Sequence, residues 1–241
     1  INPELGGEEN FNVLIEKVKS FNMGWIQDIV PNHMAFDSEN KLLMDVFEKG
    51  AASQFFNYFD INWDHPYSNL KGKALTPFLG DFYGNCLKNG EIRLEINENG
   101  FFVKYYELEL PMRLSTYSKI LKDCFDVSKG DRNSSADTET ADEFSRMIAL
   151  FTDLNKSDRQ AVINAKADLW RMFTGNKTVE KIVVTYLEQI NNGKTDSMER
   201  LHDLISEQLF RLSFWKVGND ELNYRRFFAV NSLICLRVEE S

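Results

Sequence analysis

Trp25-Ile26-Gln27-Asp28-Ile29-Val30-Pro31-Asn32-His33 is a short, mostly apolar run that stops at a proline and opens into polar residues. Such a run, lacking polar alternation, reads as a strand buried on both faces, as in a parallel sheet. Pro31 ends it, because proline has no N–H to give to a ladder. Upstream, Phe11, Leu14, Ile15, Val18 and Phe21 recur at helical spacing, which predicts an amphipathic helix over 8–22. Glu8 and Glu9 stand in its first turn, where the helix dipole favours acids, and Gly24 breaks the pattern. A helix joined by a tight link to a buried strand is the repeating unit of an α/β barrel.

Beyond Pro31 a plain barrel would continue into a short loop and another amphipathic helix. Here the chain departs from that plan. Residues 40–49 read as a short helix with Gly50 behind it, and 54–70 are aromatic and irregular. Ile92-Arg93-Leu94-Glu95-Ile96 alternates, Asn99-Gly100 supplies a turn, and Phe101-Phe102-Val103-Lys104-Tyr105 returns, which predicts a β-hairpin. From Ser115 the pattern is helical, with a polar loop over 126–140. Thr140-x-x-Glu143 and Ser157-x-x-Gln160 read as capping boxes, and Gly175 and Gly193 as C-caps. Helical stripes follow over 179–190 and 198–214. The expected architecture is therefore α/β: a partial (β/α)8 TIM barrel, a small β-containing insert and a large, mainly helical insert. The divisions are 1–36 for the barrel segment with its active-site loop, 37–112 for the hairpin insert, 113–216 for the helical insert, and 217–241 for a return toward the barrel.

The 241 residues are 43% hydrophobic, enough for a sizeable core. A net charge of −9 argues against nucleic acid and anionic membrane surfaces, which both require a basic face. Cys86, Cys124 and Cys235 are sparse, odd in number and in no metal-type pair, as in a reduced cytoplasmic protein. No stretch has the length of a membrane span and no signal peptide is present, although a chain that does not begin with Met reads as an internal piece. No cofactor or metal is expected.

Asp28, Asn32 and His33 stand at the C-terminal end of the expected strand, which in a barrel is the active-site face. A carboxylate, an amide and an imidazole there suit a polyhydroxyl ligand. Taken alone, they also fit an ordinary surface loop.

The string Asp28-Ile29-Val30-Pro31-Asn32-His33 resembles the D-x-x-x-N-H signature of the α-amylase superfamily, glycoside hydrolase family 13. The resemblance implies that His33 hydrogen-bonds the sugar in subsite −1, Asp28 braces the centre and Asn32 supports the loop. Pro31-Asn32-His33-Met34-Ala35, Phe59-Asp60-Ile61-Asn62-Trp63, Pro77-Phe78-Leu79-Gly80-Asp81-Phe82-Tyr83-Gly84, Tyr224-Arg225-Arg226-Phe227-Phe228 and Leu236-Arg237-Val238-Glu239 occur in this order. Together they resemble one branch, the maltooligosyl trehalose synthases. That branch implies an intramolecular transglucosylase, a glucosylmutase acting on maltooligosaccharides and related α-glucans in trehalose biosynthesis. It adds Arg225, Arg226, Phe227 and Phe228, with Trp63 and Tyr83, as substrate-binding candidates.

Bland readings stand beside these. Trp63 is equally a core anchor, Asp81-Phe82-Tyr83-Gly84 a turn, and Arg225-Arg226 a solvated pair, while His65 and His202 lack any partner pattern. The G-x-R-x-D segment that carries the family's nucleophile is absent from the chain. The nucleophile and acid/base are expected after Ser241, and the chain alone is expected to be inactive, with the rest of the barrel as its partner. An α-amylase-like hydrolase shares the Asp28/Asn32/His33 signature, and a non-catalytic carbohydrate-binding module is the alternative of another class.

Overall fold

The computed structural model describes residues 1, 3–26, 28–130, 137–218 and 220–240. They form two units, 1–31 and 32–241. In the first, a 3-10 turn (Pro3–Leu5) leads into helix α1 (Gly7–Ser20). The chain leaves α1 at Asn22, which takes a φ of 53°, two residues before the glycine expected to break it. The Phe11 and Trp25 rings meet edge to face at 5.6 Å.

The expected strand over 25–30 is not formed among the described residues. Ile26 is 96% exposed and Ile29 70% exposed, with Trp25 and Val30 also open. The composition is that of a doubly buried strand, but a strand exists only through a paired neighbour, and the described residues of 1–31 include no second strand. Among the described residues no barrel is closed.

The second unit is mixed α/β. Its elements are β1 (His33–Ala35), α2 (Lys41–Lys49), β2 (Ala74–Leu79), α3 (Tyr83–Lys88), β3 (Ile92–Asn97), β4 (Gly100–Tyr105) and β5 (Leu108–Pro111). There follow α4 (Leu114–Gly130), α5 (Thr138–Asp153), α6 (Arg159–Gly175), α7 (Lys177–Ile190), α8 (Thr195–Ser206), β6 (Phe210–Phe214), α9 (Trp215–Gly218) and β7 (Leu233–Cys235). Among the described residues no helix is long and apolar enough to cross a membrane.

The expected hairpin is β3–β4, with its turn at Glu98–Asn99, one residue earlier than anticipated. Gly100 closes that turn at a φ of 105°, and a Cβ there would lie 2.3 Å from the Tyr117 hydroxyl. Glycine is thus required twice, by conformation and by close approach. Strand β5 adds to β4 as a third, antiparallel strand that the sequence pattern did not signal.

Helix ends follow the nearest oxygen rather than the capping-box pattern. Asp137, not Thr140, caps α5 by accepting from the Thr140 N–H. Asp158, not Ser157, caps α6 by accepting from Gln160 and Ala161. A carboxylate immediately before the first turn reaches the free N–H groups directly. Asn176 replaces Gly175 as C-cap of α6 and also caps the start of α7. The last residue of α7 is followed by Asn191, so Gly193 lies past the cap in the next turn. The polar loop shrinks at both ends: 126–130 and 138–140 are helical, and 131–136 lie outside the described residues.

The largest correction concerns 198–214. Helix α8 stops at Ser206, and β6 runs parallel to β2, with Ala74 opposite Phe210 and Thr76 opposite Leu212. Phe210 and Leu212 are buried and Arg211 between them is not, the period-2 pattern of a strand. The register shifts between Thr76 and Leu79, the interval that contains Pro77 with its missing N–H.

One core fills this unit. Phe36, Phe47, Phe59, Tyr117, Phe144, Phe151, Tyr186 and Phe210 are all buried within it. Cys86 and Cys124 are buried and Cys235 is half-buried, all three as free thiols. Asn191 ties α7 to β3 by accepting from Leu94 N–H and donating to Leu94 O, both at 2.8 Å.

Asn223 ties the β2–β6 pair to the segment around Asn62. Its Oδ1 accepts from Leu75 N–H (2.8 Å), and its Nδ2 donates to Lys73 O (2.7 Å) and Asn62 O (3.0 Å). Replacing it by alanine strands three main-chain groups at a buried position. Asn223→Ala is expected to lower stability by roughly 2–4 kcal/mol in urea unfolding with an unchanged m-value. A loss below about 0.5 kcal/mol, the range of neutral surface changes, would show that the clamp is dispensable.

Candidate functional site

Four extended segments meet where β1 pairs with β7. His33 lies opposite Cys235 and Ala35 opposite Leu233 in antiparallel register. Single bridges join Phe59 to Leu236, Ile61 to Tyr224 and Arg226 to Ile234. The stretch 224–236 thus folds back on itself, with Cys235 N–H donating to Arg225 O (2.8 Å) and Phe227 N–H to Leu233 O (3.0 Å). Main-chain bonds of this kind set side-chain positions more firmly than surface ion pairs do.

The ladder brings His33 against Phe227, with centroids 4.1 Å apart and planes 23° apart. Phe228 stands edge-on to Phe227 at 4.5 Å. A turn closed by Val230 N–H on Phe227 O holds Phe228 at a φ of 52°, with the ring 83% exposed. A large apolar side chain kept in the left-handed region and pointed at solvent is an uncommon arrangement. Asn32 Oδ1 lies 3.0 Å from His33 Nδ1. An amide oxygen only accepts, so Nδ1 is the donor in this contact, which does not use Nε2.

Asn32, Arg225, Arg226, Phe227 and Phe228 surround an open cavity of about 330 Å³. Arg226 bonds to Asn231 Oδ1 and to Ala229 O. Arg225 faces Asp60 at 3.8 Å and Arg237 faces it at 3.7 Å, while Arg237 also donates to Ile61 O at 2.9 Å. The Asp60 carboxylate therefore stands between two guanidinium groups. Burial raises the Tyr224 hydroxyl above its ordinary range, so it stays protonated and donates to Asn231 O (2.8 Å). Burial also raises the Cys235 thiol, which makes it a poor nucleophile at neutral pH.

Six of the nine residues singled out from the sequence come together here: Asn32, His33, Arg225, Arg226, Phe227 and Phe228. Asp28 belongs to the other unit, where it is exposed and outside regular structure. Trp63 stacks on Phe56 at 5.0 Å, packed against the core, and is not among the residues around this cavity. Tyr83 begins α3, with its hydroxyl 3.2 Å from His202 Nδ1 in a different cavity. Asp60, Tyr224, Asn231 and Arg237 were not singled out. Three of them lie in the quoted motifs, but their role depends on cross-chain pairing that no local pattern encodes. Among the described residues no group of three or more His, Cys, Asp or Glu is placed to hold a metal ion.

The arrangement offers an aromatic edge, an amide, an imidazole and guanidinium donors beside an open cavity that Glu239 also lines. It suits holding a polyhydroxyl ring more than breaking a bond.

No protein-family model matches the chain. A protein of Mycobacterium tuberculosis named as a maltooligosyl trehalose synthase is 30% identical over 106 residues, 40% of this chain and 13% of that protein. A solved maltooligosyl trehalose synthase superposes on 99% of this chain and 21% of its own, with a TM-score of 0.56 and 24% identity, a likeness of fold. The hypothetical maltooligosyl trehalose synthase of Sulfolobus tokodaii matches 99% of this chain and 20% of its own, with a TM-score of 0.51 and 26% identity. The chain thus spans 13% of the length of the curated relative and about a fifth of the solved ones. In sequence over part of its length, and in fold over nearly all of it, the chain is similar to a segment of the maltooligosyl trehalose synthases.

Proposed function

We propose that this chain supplies part of the wall of an α-glucan-binding cleft. The longer protein carrying it would be an intramolecular glucosylmutase that converts the reducing-end α-1,4 linkage of maltooligosaccharides into an α,α-1,1 linkage. The observation that carries the reading is the contiguous edge of His33, Phe227 and Phe228 with Asn32, Arg225 and Arg226 beside it. A sugar ring has apolar C–H faces that pack on aromatic rings and a rim of hydroxyls that match amide, imidazole and guanidinium groups.

On this reading 1–36 is a barrel segment, 37–112 and 113–216 are inserts that wall the cleft, and 217–241 returns toward the barrel. Asp28 braces the centre, His33 hydrogen-bonds a sugar hydroxyl, and Phe227 and Phe228 support sugar faces. Trp63 and Tyr83 have a weaker claim, since neither faces the His33 cluster. Bond cleavage belongs to two carboxylates about 5–5.5 Å apart, carried on other segments. One breaks the α-1,4 bond to give a glycosyl-enzyme while the other protonates the departing glucose. That glucose turns in place, and its anomeric hydroxyl attacks, returning its proton to the second carboxylate. Water must be kept out for this to outrun hydrolysis.

Two measurements test the proposal. The longer protein incubated with maltopentaose is expected to yield a non-reducing product of the same size, read as falling reducing-sugar signal. Glucose and shorter maltodextrins alone would mean a hydrolase. The 241-residue chain by itself is expected to turn over nothing.

In the longer protein, Phe227→Ala is expected to raise KM roughly tenfold through lost ring packing. His33→Ala is expected to lower kcat/KM by roughly a hundredfold through a lost hydrogen bond in the transition state. Values equal to wild type for both would remove these residues from the cleft.

A further inference from the structure

A second cavity, of about 320 Å³, lies away from the His33 cluster, between β6, α8 and the start of α3. Its floor is apolar, formed by Ile205, Phe210 and Leu212. Its rim carries Lys73, Arg211, Tyr83 and His202, and no carboxylate lines it among the described residues.

Two of these groups are poorly satisfied. Arg211 Nη1 is shielded from solvent and has no hydrogen-bond acceptor among the described residues. An unpaired buried guanidinium N–H is costly, because it has given up water for nothing. The Lys73 ammonium donates to Ser206 O and is held below the usual lysine range, first by burial and then by repulsion from Arg211. Two cations lining one cavity, with no carboxylate among the described residues around it, form a receptor for an anion. Tyr83 Oη and His202 Nδ1 lie 3.2 Å apart at the same rim and add hydrogen-bonding groups.

We propose that this cavity binds the phosphate group of a small phosphate monoester, with its organic part on the Ile205, Phe210 and Leu212 floor. A phosphate monoester carries close to two negative charges and three acceptor oxygens, which matches two cations and the surrounding donors better than a carboxylate does. The site is independent of the α-glucan reading, because it shares no residue with the cavity lined by Asn32 and Arg225 to Phe228.

The test uses phenyl phosphate, with inorganic phosphate and benzoate as comparison probes, in calorimetric titrations of the 241-residue chain at fixed ionic strength. Phenyl phosphate is expected to bind saturably and more tightly than benzoate, and Arg211→Met to weaken it at least roughly tenfold. Arg93→Met, on the exposed face of β3, is expected to leave binding unchanged. Inorganic phosphate binding as tightly as phenyl phosphate would keep the anion site but overturn the role of the apolar floor. Benzoate binding equally well would overturn the choice of phosphate, and absence of saturable binding would overturn the site. Should Arg211→Met fail to fold, amide shifts in the wild-type chain decide. Changes centred on His202, Ser206 and Leu212 support the site, and changes centred elsewhere overturn it.

Discussion

The parallel pairing of β2 with β6 is the constraint on which the rest of the 32–241 unit depends. These strands are separated by the hairpin sheet and five long helices, and a parallel pair always needs such a crossover. Closing so long a loop costs entropy that the pairing itself cannot offset. The offset comes from the shared core, in which Phe210 from β6 packs edge-on against Phe47 of α2 at 5.8 Å. Once the pair is made, Asn223 fastens it to Asn62, and the chain is delivered to the β1–β7 region in a defined register.

From that point the candidate cleft is held by backbone rather than by charge. The Asp60 contacts with Arg225 and Arg237 are long and partly exposed, so each contributes little. The ladder among β1, β7, 59–61 and 224–226 does the positioning, backed by Phe36 packed on Tyr224 and Phe78. This explains how an exposed Phe228 can be kept at positive φ. The surrounding hydrogen bonds over-determine the turn, and the ring remains free to meet a ligand.

The two cavities differ in what they ask of a ligand. At the first, Arg225 and Arg226 already have protein partners, leaving aromatic faces and hydrogen-bonding groups, with the Glu239 carboxylate in the lining, to set the chemistry. At the β6–α8 cavity the cations have no acidic partner among the described residues, so charge sets it. In a chain with a net charge of −9, an uncompensated pair of cations is a local exception to the overall field.

Much of the local structure was legible in the residues themselves. Helices α1, α2 and α7 and the β3–β4 hairpin follow from apolar spacing and one glycine, because their hydrogen bonds close within the segment. The motif of Asn32 and His33, with Arg225 to Phe228 far along the chain, was legible as chemistry but not as a place. Only tertiary structure decided that these residues come together, that 210–214 is a strand rather than the end of a helix, and that no strand forms among the described residues of 25–30. The physical reason is common to all three. A strand's donors and acceptors point away from its own segment, so its existence, register and exposed face depend on which distant stretch comes to pair with it.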